Sequence, residues 1–349
     1  MPDAPSKSAP PGSGTKADLD PTGGSRSREN PGRARVFSVS RELGLVGLLV
    51  LILVAFRVLF PVSWGKFATF DNFASVVRNM AFEGILALGM MLMLVGGTFD
   101  LSVGATASMA GVVTGWLMKH AGWPVPVAVA SGLIAAACGG LLNGFIVAKV
   151  RVNALITTLG TMGIFSGIAL LIGGPGITFL PPSFTRLGQG QFLGLQTPVW
   201  LLVALTLVAH YCLAHTRLFR QFYYIGANAK AAHLSGINVA RLQMLAFTLM
   251  GLLAGVAGIV YAARVATASS TIGMGKELGA ITATILGGAS LSGGRGTAWG
   301  ALLGVLFVAL MQNMLLIKQV RPEWQGIILG LVLVFAVAMD SFLNRTQTR

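Results

Sequence analysis

The stretch at residues 216–243 reads TRLFRQFYYIGANAKAAHLSGINVARLQ and lies between two almost wholly apolar runs, 200–215 and 244–263. A polar segment between two runs of membrane-spanning character must lie in water at one face of a bilayer. The positive-inside rule places that face in the cytoplasm because the segment is basic. Its basic residues are Arg217, Arg220, Lys230 and Arg241. The segment therefore predicts a chain that crosses a membrane on both sides of it.

Residues 227–235 within this segment are rich in helix formers, and Gly236 follows them. This composition predicts a short helix with a glycine stop. A helix at the membrane surface offers a surface to which another protein can bind. The alternative, which composition alone leaves open, is a simple connector with basic anchors.

The composition of the whole chain is typical of a polytopic membrane protein. Of its 349 residues, 54% are hydrophobic and 10% charged, and the mean hydropathy is +0.76. The formal net charge of +14 would suggest nucleic-acid binding in a soluble protein. Here the basic residues cluster near the N-terminus and in loops, where they orient spans or meet anionic lipid. No basic helix with base-stacking aromatic residues is present, so we exclude nucleic acid as a partner.

The apolar runs predict an all-α integral membrane protein with about ten transmembrane helices. The runs are 43–62, 83–97, 104–118, 125–148, 152–172, 199–215, 244–263, 278–288, 297–317 and 326–342. The second, third and eighth runs are shorter than the roughly 20 residues that a helix needs to cross a bilayer. The number of spans is therefore predicted to within one or two. An even number of spans places both termini on the same side of the membrane, and the basic residues place that side in the cytoplasm.

The chain is predicted to divide into two parts. Residues 1–40 are of low complexity and contain few apolar residues, which predicts a disordered cytoplasmic tail. Residues 41–349 form the transmembrane domain, with the cytoplasmic loop 216–243 inside it.

Two glycine-rich stretches interrupt the predicted spans, GGTFDLSVG at 96–104 and GGASLSGGRG at 287–296. Each has a double glycine, then Leu-Ser, then a further glycine. We interpret them as a faint internal repeat, because transporters are often built from duplicated halves with broken helices at the pathway. The glycines predicted to break the helices are Gly96, Gly97, Gly104, Gly287, Gly288, Gly293 and Gly294.

Ladders of small residues predict close contacts between helices. Three sets occur at helical spacing: Gly296, Gly300 and Gly304; Gly251 and Gly255; and Gly160, Gly163 and Gly167.

Three motifs resemble those of the ribose-type ABC transporter permeases, the membrane subunits of bacterial monosaccharide importers. GANAKAAHLSGI at 226–237 is similar to the cytoplasmic loop of that family. LGMMLMLVGGTFDLSVG at 88–104 and ILGGASLSGGRGTAWG at 285–300 are similar to two further segments. The likeness runs in order from about Arg41 to the C-terminus, and ten is also the number of spans that it implies.

The resemblance implies a coupling site, because in that family the loop docks into a cleft on the ATP-hydrolysing subunit. The matching residues here are Gly226, Asn228, Ala231, Ala232, Ser235, Gly236 and Ile237. The resemblance also implies a second permease copy, of the same or a related chain, and a periplasmic binding protein that delivers a small sugar. The location implied is the bacterial inner membrane, with lipid around the spans.

Asp100 is an acidic residue between two apolar spans, with no charged residue near it in the sequence. An intramembrane carboxylate is a functional hypothesis by default. The alternative, compatible with the first, is that Asp100 caps the N-terminus of the third span. The residues predicted to line the translocation path are Thr98, Asp100, Ser102, Ser290 and Ser292.

The chain itself is not expected to be an enzyme. LSGGR at 291–295 resembles the LSGGQ signature of ABC ATPases, but the phosphate-cradling GxxxxGK[ST] loop is missing from the sequence. The four histidines have no carboxylate or cysteine at metal-ligand spacing, so neither a metal nor a cofactor is expected. The alternatives are an ion-coupled secondary sugar carrier, which would need intramembrane acids at paired repeats, an ABC permease for a nucleoside-like solute, and a receptor without transport.

Overall fold

Helices make up most of the chain in the structure, a computed structural model that describes residues 31–347, with the side chains of residues 43–338 and of Asp340. The helices are α1 (Pro31–Leu59), α2 (Pro61–Phe67), α3 (Phe70–Val95), α4 (Val103–Lys119), α5 (Val125–Phe145), α6 (Ala154–Gly173), α7 (Pro182–Gln189), α8 (Thr197–His215), α9 (Arg217–Leu234), α10 (Val239–Val265), α11 (Lys276–Leu286), α12 (Ala298–Ile317) and α13 (Pro322–Gln347). A π-helical turn, Ile146–Val150, extends α5. The predicted all-α class is confirmed.

The strands of the described residues are two residues long and lie in loops. β1 (Ile177–Thr178) pairs antiparallel with β4 (Thr267–Ala268), so that Ile177 lies opposite Ala268. This pair ties the loop after α6 to the loop after α10. β2 (Gln191–Phe192) and β3 (Leu195–Gln196) form a small hairpin before α8.

Six of the described helical segments are long and apolar enough to cross a membrane. They are α3, α5 with its π turn, α6, α8, α10 and α12. Shorter apolar segments lie at Leu43–Leu59 in α1 and Pro322–Ala338 in α13. With α4 and α11, each predicted span coincides with a helix. The polytopic membrane class is thereby confirmed, while the number of crossings stays a prediction.

The predicted start of the second span was wrong. The predicted run starts at residue 83, but α3 begins at Phe70 and includes Asp71 and Arg78. The Thr69 hydroxyl caps this helix by accepting a hydrogen bond from the Asn72 N–H at 3.2 Å. Charged and polar residues in its first turns interrupt the apolar run, so hydropathy alone places the start too late.

The N-terminal boundary also differs from the predicted one. The predicted tail extends to residue 40, whereas α1 begins at Pro31. The rest of the predicted tail, residues 1–30, lies outside the described residues.

α3 is the central helix of the bundle. In its most apolar 18-residue window, 83% of the residues are buried, and Ile85, Met90 and Val95 are fully enclosed. Helices α8, α10, α11 and α12 pack around it. A helix that is apolar on every side belongs in the core of such a bundle.

Two of the three glycine ladders form helix contacts. Gly251 of α10 meets Gly140 of α5, and Gly304 of α12 meets the backbone of Ala283 in α11. At these points a side chain on either glycine would collide with the backbone of the neighbouring helix. The third ladder, on α6, differs: a Cβ on Gly163 would have no described atom within 4 Å.

Two helices of the bundle, α4 with 17 residues and α11 with 11, begin next to each other. α11 starts beside the middle of α3, where Lys276 Nζ lies 2.5 Å from Glu83 Oε1, and near its end the Thr284 hydroxyl lies 3.3 Å from the Ala87 carbonyl oxygen of α3. α4 starts where Gly104 packs against the backbone of Gly273, just before α11. The Gly273 N–H donates to the Ser108 hydroxyl of α4 at 2.9 Å.

Candidate coupling site

α9 is the helix of the polar segment, and it is longer than the sequence predicted. It begins at Arg217, after a cap in which the Thr216 hydroxyl accepts a hydrogen bond from the Phe219 N–H at 3.4 Å. At Asn228 the backbone leaves the helical region (φ −160°, ψ 95°) and the helix kinks. The predicted helix at 227–235 is therefore only the second half of α9.

Asn228 starts this second half by capping it. Its side-chain oxygen accepts a hydrogen bond from the Ala231 N–H at 2.9 Å, the usual geometry of an asparagine N-cap. The kink thus has a chemical cause, since the asparagine satisfies a backbone donor that the interrupted helix leaves free.

The second half of α9 ends in a Schellman motif at Gly236. The Ile237 N–H donates to the Ala232 carbonyl at 3.1 Å and the Gly236 N–H to the His233 carbonyl at 3.0 Å. Gly236 has a φ of +84°, a conformation that costs glycine little and other residues more. The predicted glycine stop is at this position.

The two sides of α9 differ in exposure. Phe222, Ile225 and Ala232 are buried against the membrane helices. On the other side Lys230 and His233 are exposed, and Leu234 is 81% exposed. An apolar side chain this exposed beside basic ones is a candidate contact for a partner protein.

The two glycine-rich breaks have the same backbone geometry. After α3, the Thr98 N–H donates to the Met93 carbonyl at 3.0 Å, and after α11 the Ala289 N–H donates to the Thr284 carbonyl at 3.1 Å. In each break the second glycine is left-handed, with a φ of +76° at Gly97 and +92° at Gly288. Both helices therefore end in the same Schellman motif.

The remaining predicted break glycines have distinct positions. Gly96 and Gly287 are the C-cap residues of α3 and α11. Gly293 and Gly294 are left-handed residues in the turn before α12. Gly104 does not lie in the break but in the first turn of α4.

Gly226 of α9 lies where the two breaks meet. The Gly294 N–H donates to the Val95 carbonyl, the last of α3, at 2.9 Å. A Cβ on Gly226 would overlap this carbonyl oxygen and would lie 2.5 Å from the Gly294 nitrogen. A Cβ on Gly97 would be 3.4 Å from the Gly226 Cα. We call this contact of Val95, Gly97, Gly226, Gly293 and Gly294 the glycine junction.

Tyr223 adds a hydrogen bond beside the glycine junction. Its hydroxyl donates to the Gly296 carbonyl at 2.8 Å. Burial raises the pKa of Tyr223 to about 12 because the phenolate would lose its hydration. The hydroxyl therefore stays protonated, and able to donate, at every physiological pH.

Asp100 and Ser102 form a buried polar group with Asn143 of α5. Asp100 Oδ1 accepts from the Ser102 N–H at 2.7 Å and from its hydroxyl at 2.6 Å. Asn143 Nδ2 donates to Ser102 Oγ at 2.9 Å. The N-cap residue of α4 is Ser102, so Asp100 stands two residues before the cap and closes the turn that leads into the helix.

The other predicted path residues lie elsewhere. Ser290 is buried and donates through its hydroxyl to Asp340 Oδ2 of α13 at 3.0 Å, whereas Ser292 is exposed. The Thr98 side chain is 7% exposed and lies in the first break. In the described chain, Asp100 and Ser102 thus come together, and Ser290 belongs to a second group around α13.

Comparisons with known proteins identify the family of the chain. Residues 72–337 match the family described as the permease component of the branched-chain amino acid transport system. The ribose import permease protein of Escherichia coli K12 is 38% identical over 307 residues, which cover 86% of this chain and 93% of the relative. The L-arabinose transport system permease protein of the same strain is 35% identical over 314 residues, covering 89% and 94%.

A third relative is the autoinducer 2 import system permease protein of Klebsiella pneumoniae, 35% identical over 311 residues that cover 89% of each chain. The chain belongs to this family of ABC transporter permeases. It is thus a multi-pass membrane protein and a transport subunit. No solved structure was found that matches the permease.

Sequence reasoning missed two residues that the permease uses in these groups. Tyr223 lies just before the motif at 226–237. Its role depends on the hydrogen bond to the Gly296 carbonyl, which is remote in sequence. Asn143 was also missed, although a lone amide in the apolar run 125–148 was a usable signal, since a buried polar side chain needs a partner.

Proposed function

We propose that the permease is the membrane-spanning subunit of a binding-protein-dependent importer that carries a sugar across the bacterial inner membrane. The three relatives, named for ribose, L-arabinose and autoinducer 2, support this proposal. ATP would be hydrolysed by a separate subunit. The observation that carries the proposal is the position of α9, which is exposed on one side and on the other packs against the end of α3 and the glycine-rich turn before α12.

The coupling residues have complementary roles in this proposal. Asn228 and Gly236 define the two ends of the exposed half-helix, Ala232 anchors it, and Gly226 brings it against the end of α3 and the turn before α12. A force applied by an ATPase subunit at the exposed side would reach both breaks through backbone contacts. Such contacts are a physical route for coupling, because close-packed segments shift together.

The translocation path would form between this permease and a second copy, or a related chain, with a periplasmic binding protein delivering the sugar. Thr98, Asp100, Ser102, Ser290 and Ser292 stay our prediction for residues along it. Because Asp100 and Ser102 are held by Asn143 in the described chain, they would reach the path only when the segment 97–102 moves. Both termini are proposed to be cytoplasmic, on the same face as α9.

Transport by reconstituted components tests the proposal. We expect the permease in liposomes, with its ATPase and binding-protein subunits, to take up radiolabelled D-ribose or L-arabinose only when ATP is supplied. An ion-coupled carrier would instead take up sugar without the other subunits. Uptake by the purified permease alone under a proton or sodium gradient would therefore overturn the proposal.

The docking of α9 is tested by charge placed on its exposed side. Leu234→Asp should weaken co-purification of the ATPase subunit by at least about fivefold, the effect of losing roughly 1 kcal/mol at an interface. Leu193, 75% exposed in the β2–β3 turn, provides the matched control: Leu193→Asp should leave ATPase binding unchanged. Equal binding by both variants would remove the docking assignment. Gly236→Trp and Ala232→Glu would also alter this loop, but they are less informative tests of docking than Leu234→Asp. The first places a large side chain on a left-handed residue, and the second places a charge at a buried position.

Adjacent tyrosines test the transmission of force. Tyr223→Phe removes the hydrogen bond to Gly296 and should lower the amount of sugar taken up per ATP hydrolysed. Tyr224 is 58% exposed, so Tyr224→Phe serves as the control and should leave this ratio unchanged. A Tyr223→Phe variant with a wild-type ratio would show that this hydrogen bond does not contribute to coupling.

A further inference from the structure

The segment between α10 and α11 runs deep into the bundle before α11 begins. Gly273 lies against Gly104 at the start of α4, and Lys276, the first residue of α11, pairs with Glu83 of α3. Glu83 divides α3 into parts of about 20 Å and about 18 Å, and α4 extends about 25 Å from its contact with Gly273. Because the apolar core of a bilayer is about 30 Å thick, residues 271–278 lie near its middle.

One side of this segment is exposed at that depth. Met274 is 76% and Leu278 50% exposed. Thr271 is also exposed, its hydroxyl lies 3.1 Å from that of Ser269, and the Lys276 side chain is 39% exposed. Two hydroxyl groups and a charged amine thus share a surface with two apolar side chains. We call these five residues the polar wall.

Lipid is an unsuitable neighbour for the polar wall because the backbone there is irregular. The Met274 N–H donates to the Thr271 carbonyl at 3.2 Å and the Lys276 N–H to the Gly273 carbonyl at 3.1 Å, each closing a turn, and Gly275 is left-handed with a φ of +77°. Irregular backbone at membrane depth occurs where protein or a water-filled cavity surrounds it. A charged side chain at that depth has the same requirement. The exposed side of the segment is therefore expected to face water inside the assembled transporter.

We propose that the polar wall lines the translocation path near the middle of the membrane and contacts the sugar as it passes. This inference rests on the proposed function, which requires a water-filled path between two permease copies. Hydroxyl and ammonium groups can form hydrogen bonds with sugar hydroxyls, and the two apolar side chains can contact the C–H groups of a sugar ring. Because Glu83 already pairs with Lys276, the polar wall suits an uncharged solute.

The polar wall differs in access from the path residues that the sequence predicted. Asp100 is 2% and Ser102 0% exposed, so both would reach a path only after a movement of the chain. The polar wall is exposed as the described chain stands. Its contact with a sugar therefore requires no rearrangement of α4 or α11.

Cysteine labelling tests whether the polar wall faces water. The two cysteines are first removed by Cys138→Ala and Cys212→Ala, Met274→Cys is added, and the permease is assembled in liposomes with its ATPase and binding-protein subunits. A charged, membrane-impermeant methanethiosulfonate should modify this thiol, since the thiolate is the reactive form and apolar surroundings disfavour it. Ile134→Cys is the matched control, because Ile134 lies halfway along α5 and is 62% exposed. Its modification should be at least about tenfold slower.

Sugar uptake before and after labelling tests whether the polar wall lies on the path. Modification of Met274→Cys should lower ATP-dependent uptake of radiolabelled D-ribose or L-arabinose by at least about fivefold relative to the same variant before treatment, which corresponds to roughly 1 kcal/mol. Treatment of the Ile134→Cys variant should leave uptake unchanged.

A single hydroxyl group provides a second measurement. Thr271→Val removes this group with little change of shape and should lower uptake about threefold, the effect of one lost hydrogen bond. Thr185→Val is the control, because the Thr185 hydroxyl lies in α7 and donates to the Pro182 carbonyl at 3.2 Å. Its uptake should equal that of the wild type.

Three results would overturn the inference: equal labelling of Met274→Cys and Ile134→Cys, full uptake after modification of Met274→Cys, or wild-type uptake by Thr271→Val. The labelling rate does not depend on the cargo, so failure of this inference and failure of the proposed function can be distinguished. A transporter that imports neither sugar argues against the proposed function. An unreactive polar wall in a transporter that imports one of them argues against this inference alone.

Discussion

At the scale of single residues, Gly226 shows what the absence of a side chain allows in this fold. Its Cα lies against the last carbonyl of α3 and the backbone of Gly294. Because backbone cannot rotate away as a side chain can, even a methyl group at this position requires α9 to move. The resemblance to known permeases identified Gly226, but its contacts lie far apart in sequence, and no local pattern indicates them.

Gly226→Ala should destabilise the permease by about 1–3 kcal/mol, the usual cost of overpacking a filled contact. The measurement is the midpoint of thermal unfolding in detergent. Gly163→Ala is the control, since Gly163 lies in α6 with open space at its Cβ position and alanine is the better helix former. Its midpoint should be unchanged or higher. The same loss in both variants would mean that the glycine junction is not tightly packed.

At the scale of elements, α9 shows which parts of a helix a sequence can predict. Gly236 and the helix formers before it indicated the second half correctly. The first half was missed because its aromatic residues were considered part of a polar loop. Phe222 and Ile225 are spaced three apart and are both buried, so the helical period was present. The kink at Asn228 was not predicted, although asparagine is a favoured N-cap residue and its side chain caps the second half of the helix.

Asn228→Ala should remove the cap of the exposed half-helix and cost about 0.5–2 kcal/mol locally. Hydrogen exchange at residues 229–235 should become faster, and ATPase binding should weaken. Asn238 caps α10 in the same way, with its side-chain oxygen 3.0 Å from the Arg241 nitrogen. Asn238→Ala should therefore affect the start of α10 and leave exchange at 229–235 unchanged. Faster exchange at 229–235 in both variants would show that the two caps do not act separately.

At the scale of the whole molecule, the short helices α4 and α11 begin next to each other inside the bundle. The short apolar runs at 104–118 and 278–288 predicted their lengths. Their meeting at Gly104 and Gly273 was not predictable, since it depends on how separate parts of the chain pack. The ion pair between Glu83 and Lys276 was also missed, because the residues are remote in sequence. It attaches the start of α11 to the middle of α3.

A double-mutant cycle on Glu83→Gln and Lys276→Gln measures this attachment. Each single change should lower the free energy of unfolding by leaving a partly buried charge without its partner. The double variant should lose less than the sum, with a coupling energy of about 0.5–3 kcal/mol. The exposed pair of Arg321 and Glu323 is the control, and its cycle should give a smaller value because solvent screens it. Equal coupling in the two cycles would contradict a structural role for the inner pair.

The glycine junction also limits how such permeases can be recombined. Because Gly226 of α9 touches both the end of α3 and the glycine-rich turn before α12, a loop taken from a relative would not fit these two segments. Functional chimaeras should therefore be obtained when residues around 95, 226 and 294 are exchanged as a set. The three segments contact one another in the fold although they lie far apart in the sequence, so they are expected to vary together among related permeases.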